Sequence, residues 1–445
     1  MSITTTHLVP APLERVWEWH TRPGAVQRLT PPFLPMSVVS GAESLRDGTT
    51  VLKLPAGQKW IAQHVAEEYI EGSQFVDVAE NTPVKQATQW KHTHLFEQAD
   101  SGTRITDTVD TRVPEAMLKA AFAYRQRQLV EDLAFQDRLE QIADVAPKTI
   151  AMTGSRGLVG SALSAQLTTA GHTVVQLVRG DAEEGQRHWD MENPDASLFS
   201  GIDAVIHLAG ESIMGRFTDT HKSKIYSSRI GPTRKLAQAA ADAGVETFVS
   251  ASAVGFYGTN AGDRVHTEAD GQGDGFLAEV VAEWEAATDY AHDTGVRTVN
   301  IRTGLVLSGE GGLLPVLRFS ASTALSARFG DGDFWMSWVA IDDLTDIYIR
   351  ALFDDQLSGP VNATAPNPVT NAEMSKALTL TLNRPELMGI PSLGPKVLLG
   401  EEGARELALA DQRVEPAKLN ELGHHFRYPT LQEALDHELG KEELL

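Results

Sequence analysis

The sequence predicts two fold types in one chain: an α+β domain, then an α/β domain built on a doubly wound parallel sheet. Three observations carry that expectation. The first part alternates short strand-like runs with turn residues and closes on one long amphipathic segment. From Thr149 onward strands and helices alternate, the order of a parallel sheet covered on both faces. Between the two, Val145-Ala146-Pro147-Lys148 reads as a linker. The chain has 445 residues, and at roughly 150 residues per domain two or three domains are expected. We place them at 1–146, 148–389 and 390–445. The last is a small helical C-terminal subdomain, because the strand–helix alternation stops past Gly389.

In chain order, Ile3–Val9 alternates as a strand, and after Pro10-Ala11-Pro12 a short helix carries Val16 and Trp17. Further strands are expected at Val51–Leu54, Ile61–Tyr69, Gln74–Ala79, Gln89–Glu97 and Arg104–Val113, between Gly, Pro, Asn and Asp punctuation. After Pro114, Leu118, Ala121, Phe122, Leu129, Leu133, Leu139 and Ile142 suit one broad helical face. The second part predicts a strand at Thr149–Met152, a glycine loop, a helix and the strand HTVVQLV. The strand Ala204–His207, a helix from Lys222 to Ala243 and the strand Thr247–Ser252 follow. A helix from Gly275 to Thr294 and a strand from Val296 to Leu307 complete the alternation.

Composition excludes several function classes. Asp plus Glu number 60 against 38 Lys plus Arg, a formal net charge of −22. Such a surface repels nucleic-acid polymers and anionic membranes, although it leaves room for a local basic pocket holding one phosphate. Cysteine is absent, so disulfides, thiolate metal sites and a cysteine nucleophile are ruled out. No apolar run approaches the roughly 20 residues that span a bilayer. MSITTTHLVPAPLERVWEW lacks a basic region followed by an apolar one, so no secretory signal is expected and the predicted location is cytoplasmic.

The strongest chemical signal is Thr153-Gly154-Ser155-Arg156-Gly157-Leu158-Val159-Gly160, a TGxxGxxG loop between a strand and a helix. Glycines there allow a tight turn and a close approach of backbone to a pyrophosphate at the helix N-terminus. The plain alternative is a glycine turn that holds no nucleotide. The second strand ends in Arg179, where an acid would accept the ribose hydroxyls of NAD. An arginine can pair with the 2′-phosphate of NADP instead, with Arg156 as a second contact, so NADP is expected over NAD. A solvated strand-end charge is the alternative reading of Arg179.

With Leu208-Ala209-Gly210 after the strand Ala204–His207, these residues resemble the extended short-chain dehydrogenase/reductase superfamily. HLAGESI, KSKIYSSRIGPT, SASAVGFYG and FLAEVVAEWEAA resemble one atypical branch of it, the nucleoside-diphosphate-sugar epimerase-like, SulA-labelled branch. The stretch from Gly400 to Leu435 resembles the small domain that ends that branch. The first 145 residues resemble START or polyketide-cyclase-like (SRPBCC) helix-grip domains in strand order, in the VWEWH helix and in the long last helix. The resemblance implies a Rossmann-type sheet with a small helical subdomain, preceded by an α+β helix-grip domain.

It also implies a Ser–Tyr–Lys set, in which Tyr moves the substrate proton while Lys lowers the Tyr pKa and holds the cofactor ribose. Ser252 matches the Ser. Phe276 and Val280 stand where Tyr and Lys are expected, and neither can move a proton. Tyr257 is the leading replacement, against the alternative of a packed Tyr with a satisfied hydroxyl. Glu268 and His266 lie on a loop expected to cover the cofactor crevice, although solvated loop charges are common there. Arg302 suits a substrate phosphate or carboxylate, or a structural salt bridge. Arg229 suits packing or an ion pair, and Asp342 and Asp343 suit caps at a helix start. The loop Gly309–Pro315 reads as a flexible cover on the substrate side.

Trp90, His92, His94 and Phe96 alternate and so share one strand face. No third ligand stands at an obvious spacing, so pocket lining or an ordinary half-exposed strand is expected and no metal. Two functions remain open. One is an NADP-binding oxidoreductase or nucleotide-sugar epimerase-like enzyme acting on a small polar, sugar-nucleotide-like substrate. The other is a non-catalytic NADP-binding ligand or redox sensor whose N-terminal cavity holds an apolar small molecule.

Overall fold

The computed structural model describes residues 2–322, 325–386 and 388–445. The chain forms two compact units, one of Met1–Ile142, Ser164–His172 and Asp436–Leu445 and the other of Ala143–Leu163 and Thr173–Leu435. Among the described residues no helix is long and apolar enough to cross a membrane.

The first unit is built on β1 (Ser2–Val9), β2 (Ser37–Ser40), β3 (Thr49–Lys53), β4 (Lys59–His64), β5 (Gln74–Ala79), β6 (Lys91–Ala99) and β7 (Gly102–Asp110). Among the described residues these make one antiparallel sheet in the order β1-β7-β6-β5-β4-β3-β2. Burial in β1 alternates strictly, as a period of two requires of a strand with one face on the core. The long helix Glu115–Glu140 lies on the inner face. Its Leu129 and Leu133 join Phe75 and Phe96 of the sheet and Val16 and Trp17 of the helix Leu13–Thr21 in one core cluster. Trp17 meets Phe96 edge-on at 5.3 Å between centroids.

Three expectations in this unit are corrected. The strand expected over Ile61–Tyr69 stops at His64, because a 3₁₀ turn at Ala66–Glu68 swings Tyr69 back onto Trp17 at 6.1 Å. β2 was not expected, since four residues are too few for alternation to register. Ile142 lies past the end of the long helix and is 46% exposed, so it is no part of the buried face.

Inside this core Arg28 and Asp132 form a buried ion pair, with side chains 4% and 0% exposed. The Arg28 Nε–H donates to Asp132 Oδ2 at 2.9 Å, and Gln128 Nε2 donates to Asp132 Oδ1 at 3.0 Å.

The second unit holds β8 (Thr149–Thr153), β9 (Thr173–Val178), β10 (Gln186–His188), β11 (Ala204–His207), β12 (Thr247–Ala253) and β13 (Arg297–Thr303), with Gly359–Ala363 at one edge. The sheet order is β10-β9-β8-β11-β12-β13 followed by that edge strand, and its pairings are parallel. The chain winds outward one way from β8 and then the other way from β11. Parallel sheets open a crevice at such a reversal, past the C-terminal strand ends. Ile150, Ile206, Phe248 and Ile301 are fully buried along the sheet, as strands covered on both faces require.

Here too the chain breaks where continuous elements are expected. The helix predicted from Lys222 to Ala243 is two helices, Asp219–Ser227 and Ile230–Asp242. Pro232 has no N–H to give the carbonyl of Ser228 and would collide with it, so the first helix cannot run on. The helix predicted from Gly275 to Thr294 ends at Ala286, and Asp289–Asp293 forms a separate turn. At that break the Thr288 hydroxyl donates to the Glu285 carbonyl at 2.7 Å, competing with helix continuation. The strand predicted from Val296 to Leu307 breaks at Gly304, where a Cβ would stand 2.5 Å from the Ser337 carbonyl oxygen. Leu305–Leu307 leaves the main sheet and pairs with Trp338–Ala340.

Replacing Asp132 with Ala leaves the Arg28 charge buried without its carboxylate. We expect the first unit to lose about 3–5 kcal/mol of stability, read as a lower urea midpoint followed by Trp17 and Trp19 fluorescence.

Candidate functional site

The glycine loop joins β8 to the helix Leu158–Thr169, and two of its three glycines are demanded by backbone geometry, each for its own reason. Gly154 has φ +70°, and a Cβ there would sit 2.9 Å from the Leu208 carbonyl carbon. Gly160 is buried, and its Cβ would stand 2.3 Å from the Gly154 oxygen, so the helix could not lie against the loop. Gly157 is exposed, and its Cβ would meet only the Gly154 oxygen at 3.3 Å. The fold tolerates a side chain at Gly157 far better than at Gly160. The first N–H groups of an α-helix have no intrahelical acceptor. Arg156 is exposed, Ser155 is buried, and Arg179 is exposed immediately after β9. Gly311 and Gly312 of the loop Gly309–Pro315 approach Leu158, at 3.3 Å and 3.6 Å from their would-be Cβ positions.

Below the loop runs a buried chain of side-chain hydrogen bonds. Thr153 Oγ1 accepts the N–H groups of Leu208 at 3.1 Å and Ala209 at 3.2 Å. Its own hydroxyl proton is therefore free for His207 Nδ1 at 2.8 Å. That sets the tautomer: His207 Nε2 carries the proton and donates to Thr233 Oγ1 at 2.9 Å. Trp284 Nε1 donates to the same Thr233 oxygen at 3.0 Å. Burial pushes the His207 pKa down to about 3. Leu208 and Ala209 are thereby pinned beside the glycine loop. The Arg229 guanidinium lies over the Trp284 ring at 5.0 Å and against Gly210, where a Cβ would stand 3.1 Å from its Cζ. Burial lowers the Arg229 pKa to about 10.

A second network stands at the end of β12. Ser252 Oγ donates to Glu285 Oε1 at 2.5 Å. Arg302 holds both Glu285 oxygens, at 2.8 Å and 2.7 Å. It also donates to the Tyr257 hydroxyl at 2.9 Å, while that hydroxyl donates to Asn362 Oδ1 at 2.8 Å. Ser252 and Tyr257 thus belong to one network, and the Tyr257 phenol is engaged as both donor and acceptor. Tyr257 is 4% exposed and stacks on His266 at 5.0 Å. Burial raises its pKa, against the pull of Arg302. Of the alternatives for Arg302, the salt bridge is what the chain forms.

The described relatives decide the family. An epimerase family protein of Mycobacterium bovis is 43% identical over 295 residues, which are 65% of this chain and 97% of that protein. The chain belongs to the epimerase family. Residues 150–362 match the NAD dependent epimerase/dehydratase family, and residues 390–438 match a domain of unknown function, DUF1731. Residues 9–134 match polyketide cyclase / dehydrase and lipid transport. Among solved structures, a nucleoside-diphosphate sugar epimerase from Corynebacterium glutamicum is 51% identical with a TM-score of 0.89, covering 99% of this chain and 91% of that one. Human epimerase family protein SDR39U1, solved with NADPH, is 28% identical with a TM-score of 0.60, covering 65% of this chain and 99% of that one.

In this epimerase family chain the two apolar replacements are built into packing. Val280 is 2% exposed and clusters with Ile225, Ile230 and Ala287, while Phe276 packs at the rim of that cluster. Phe276 and Leu277 give their N–H groups to Glu406, at 3.1 Å and 2.8 Å, so a carboxylate from the C-terminal tail caps their helix. Glu268 accepts the Asn362 N–H at 2.9 Å. Asp342 and Asp343 are not caps: the helix Ile341–Phe353 has Ala340 at its N-cap with no side-chain bond. Asp343 instead accepts the N–H groups of Arg427 at 2.6 Å and Tyr428 at 3.2 Å. Burial, aided by the nearby Asp346 charge, raises the Asp343 pKa to about 7.

Sequence reasoning missed Thr153 as a hub, together with His207, Thr233, Trp284 and Glu285. One signal was available: His207 is the single polar residue in the otherwise apolar strand Ala204–His207. The partners 26 and more residues away left no local trace.

In the first unit a cavity of about 360 Å³ opens between sheet and long helix. Leu29, Leu52, Leu118 and Phe122 line it, and so do Asp77, His92, His94 and Arg125. The pocket-lining expectation for His92 and His94 is met.

His207 sets a pH dependence. Its folded pKa of about 3 lies below the unfolded value of about 6.5. Its contribution to stability is therefore complete above pH 6.5 and is lost as pH falls toward 3. The unfolding free energy should fall over that window by up to about 1.4 kcal/mol per pH unit from this group alone. Urea titrations at several pH values should give a shallower slope for His207→Asn than for the unmodified chain.

Proposed function

We propose that the second unit binds NADP in preference to NAD and serves as an oxidoreductase or epimerase-like enzyme on a small polar, sugar-nucleotide-like substrate. The observation that carries this reading is the glycine loop, where Gly157 is left open over a helix N-terminus while Gly154 and Gly160 are needed for the backbone itself. Gly154, Ser155, Arg156, Gly157, Leu158, Val159 and Gly160 would cradle the pyrophosphate. Leu208 and Ala209, held by Thr153, and Gly210 after them would form the floor beneath the ribose and nicotinamide side. Arg179 and Arg156, both exposed, would offer the 2′-phosphate two positive charges. The NADPH in the human SDR39U1 structure supports the same choice.

Bound NADP would supply hydride exchange at its nicotinamide. The chain's own proton route at that end of the sheet is Ser252 to Glu285. Ser252 would hold a substrate hydroxyl at the mouth of the crevice and take its proton while passing its own to Glu285. Arg302 fixes Glu285, and Tyr257 fixes Arg302, so Tyr257 enters as a positioning residue. One observation favours a second reading, non-catalytic NADP binding as a ligand or redox sensor: Phe276 and Val280 fill the Tyr and Lys places with packed apolar groups.

Calorimetry should give tighter binding of NADP than of NAD, and Arg179→Ala should weaken NADP much more than NAD. Equal affinities in the unmodified protein would sink the cofactor assignment. Native mass spectrometry of the freshly isolated chain separates the two functions: a polar, sugar-nucleotide-like molecule retained with NADP supports the enzyme, and NADP alone or with an apolar molecule supports the sensor.

The glycines should also separate by mechanism. Gly157→Val should abolish cofactor binding with little change in the melting temperature of the cofactor-free chain. Gly160→Ala should lower that melting temperature on its own, because its Cβ meets backbone.

A further inference from the structure

We propose that Asp77, His92 and His94 bind one divalent zinc-class cation inside the first unit, with an open coordination position facing the apolar cavity. The register of the sheet assembles the site. Asp77 on β5 is directly opposite His92 on β6, and His94 is directly opposite Asp107 on β7. Opposed residues of an antiparallel pair share a face, so all four side chains point to the same side of the sheet.

The hydrogen bonds then aim the donors. Asp107 Oδ1 lies 2.9 Å from His92 Nε2 and 2.8 Å from His94 Nδ1. One carboxylate oxygen thus takes an N–H from each ring, which leaves lone pairs on His92 Nδ1 and His94 Nε2. Both of those atoms lie 3.5 Å from Asp77 Oδ2. That separation is long for a hydrogen bond. It matches the spacing of about 3.4 Å between donor atoms that surround one cation tetrahedrally at bonds of ~2.0–2.1 Å.

Each ligand has an outer partner, as metal sites require. Asp107 orients both imidazoles, and Trp90 Nε1 donates to Asp77 Oδ1 at 2.8 Å. Phe75 stacks on His94 at 4.0 Å and Phe122 meets His92 edge-on at 5.4 Å, so neither ring is free to turn. His92, His94 and Asp107 are 3%, 4% and 5% exposed. Asp107 is buried and Asp77 half-buried, so two carboxylates face the imidazole pair, and a divalent cation between the rings and Asp77 would complement that charge. Three protein ligands with a vacant fourth position form the arrangement of a zinc site that takes water or a ligand group from its pocket. The expectation of no metal failed to count Asp77, which comes from a neighbouring strand rather than from the His92–His94 run.

The test uses the untagged full-length chain, stripped with a chelator and titrated with Zn(II) by calorimetry. One equivalent should bind, and Co(II) should give the intense visible bands of a four- or five-coordinate ion. His94→Gln and Asp77→Asn should each weaken Zn(II) binding by 100-fold or more, and Asp107→Asn by about 10–100-fold through loss of orientation. Thermal melts of the metal-free forms report whether these variants fold. Where one does not fold, paramagnetic NMR of the Co(II)-loaded unmodified chain decides: two shifted, exchangeable imidazole N–H signals are expected, from the protons held on Asp107. Absence of saturable uptake, absence of those two signals, or undiminished binding in folded His94→Gln would overturn the site.

Discussion

The second unit depends on the chain of hydrogen bonds from Thr153 through His207 to Thr233 and Trp284. It links the end of β8, the end of β11 and the two helices that carry Thr233 and Trp284. In a buried setting an unpaired imidazole or indole N–H is expensive, so every member is satisfied only when all four elements stand at their observed separations. Because Thr153 also takes the N–H groups of Leu208 and Ala209, the same constraint holds the crevice floor beside the glycine loop. Loop, floor and core share one set of bonds.

The helix Phe276–Ala286 shows what the apolar replacements accomplish. At its start Glu406 accepts two backbone N–H groups, and near its end Glu285 is clamped by Arg302. Between them Val280 and Trp284 face inward. The helix is a brace, fastened through a carboxylate at each end. Near its C-terminal end Glu285 accepts the Ser252 hydroxyl.

What could be read from sequence divides by range. The alternation of β1, the long helix after Pro114 and the TGxxGxxG loop are local patterns, and the structure contains each of them. Pro232 was a visible break inside an expected helix, and its clash with the Ser228 carbonyl needed only chain geometry. The break at Gly304 was not visible, because the obstacle is the Ser337 carbonyl of a distant segment. Asp343 looked like a cap from its place at a helix start, yet it serves Arg427 and Tyr428, more than 80 residues away. The pairing of Asp77 with His92 required the β5–β6 register, which no spacing along the chain encodes.

Both units place imidazoles in the core, and the comparison explains why only one set suits a ligand. His207 has each nitrogen on a threonine hydroxyl, one accepting and one donating, so nothing is left over. Its ring can only hold the fold together, and its low pKa keeps it neutral in that task. His92 and His94 share a single carboxylate oxygen through one nitrogen each, and their second nitrogens converge on another carboxylate at a distance too long to satisfy them. Asp107 keeps its charge despite burial because both rings bond to it. A core needing only stability would pair these atoms fully or replace them with apolar groups of the same volume. Retaining lone pairs, charge and an adjoining cavity together makes sense for a site that accepts a cation or the polar end of a ligand.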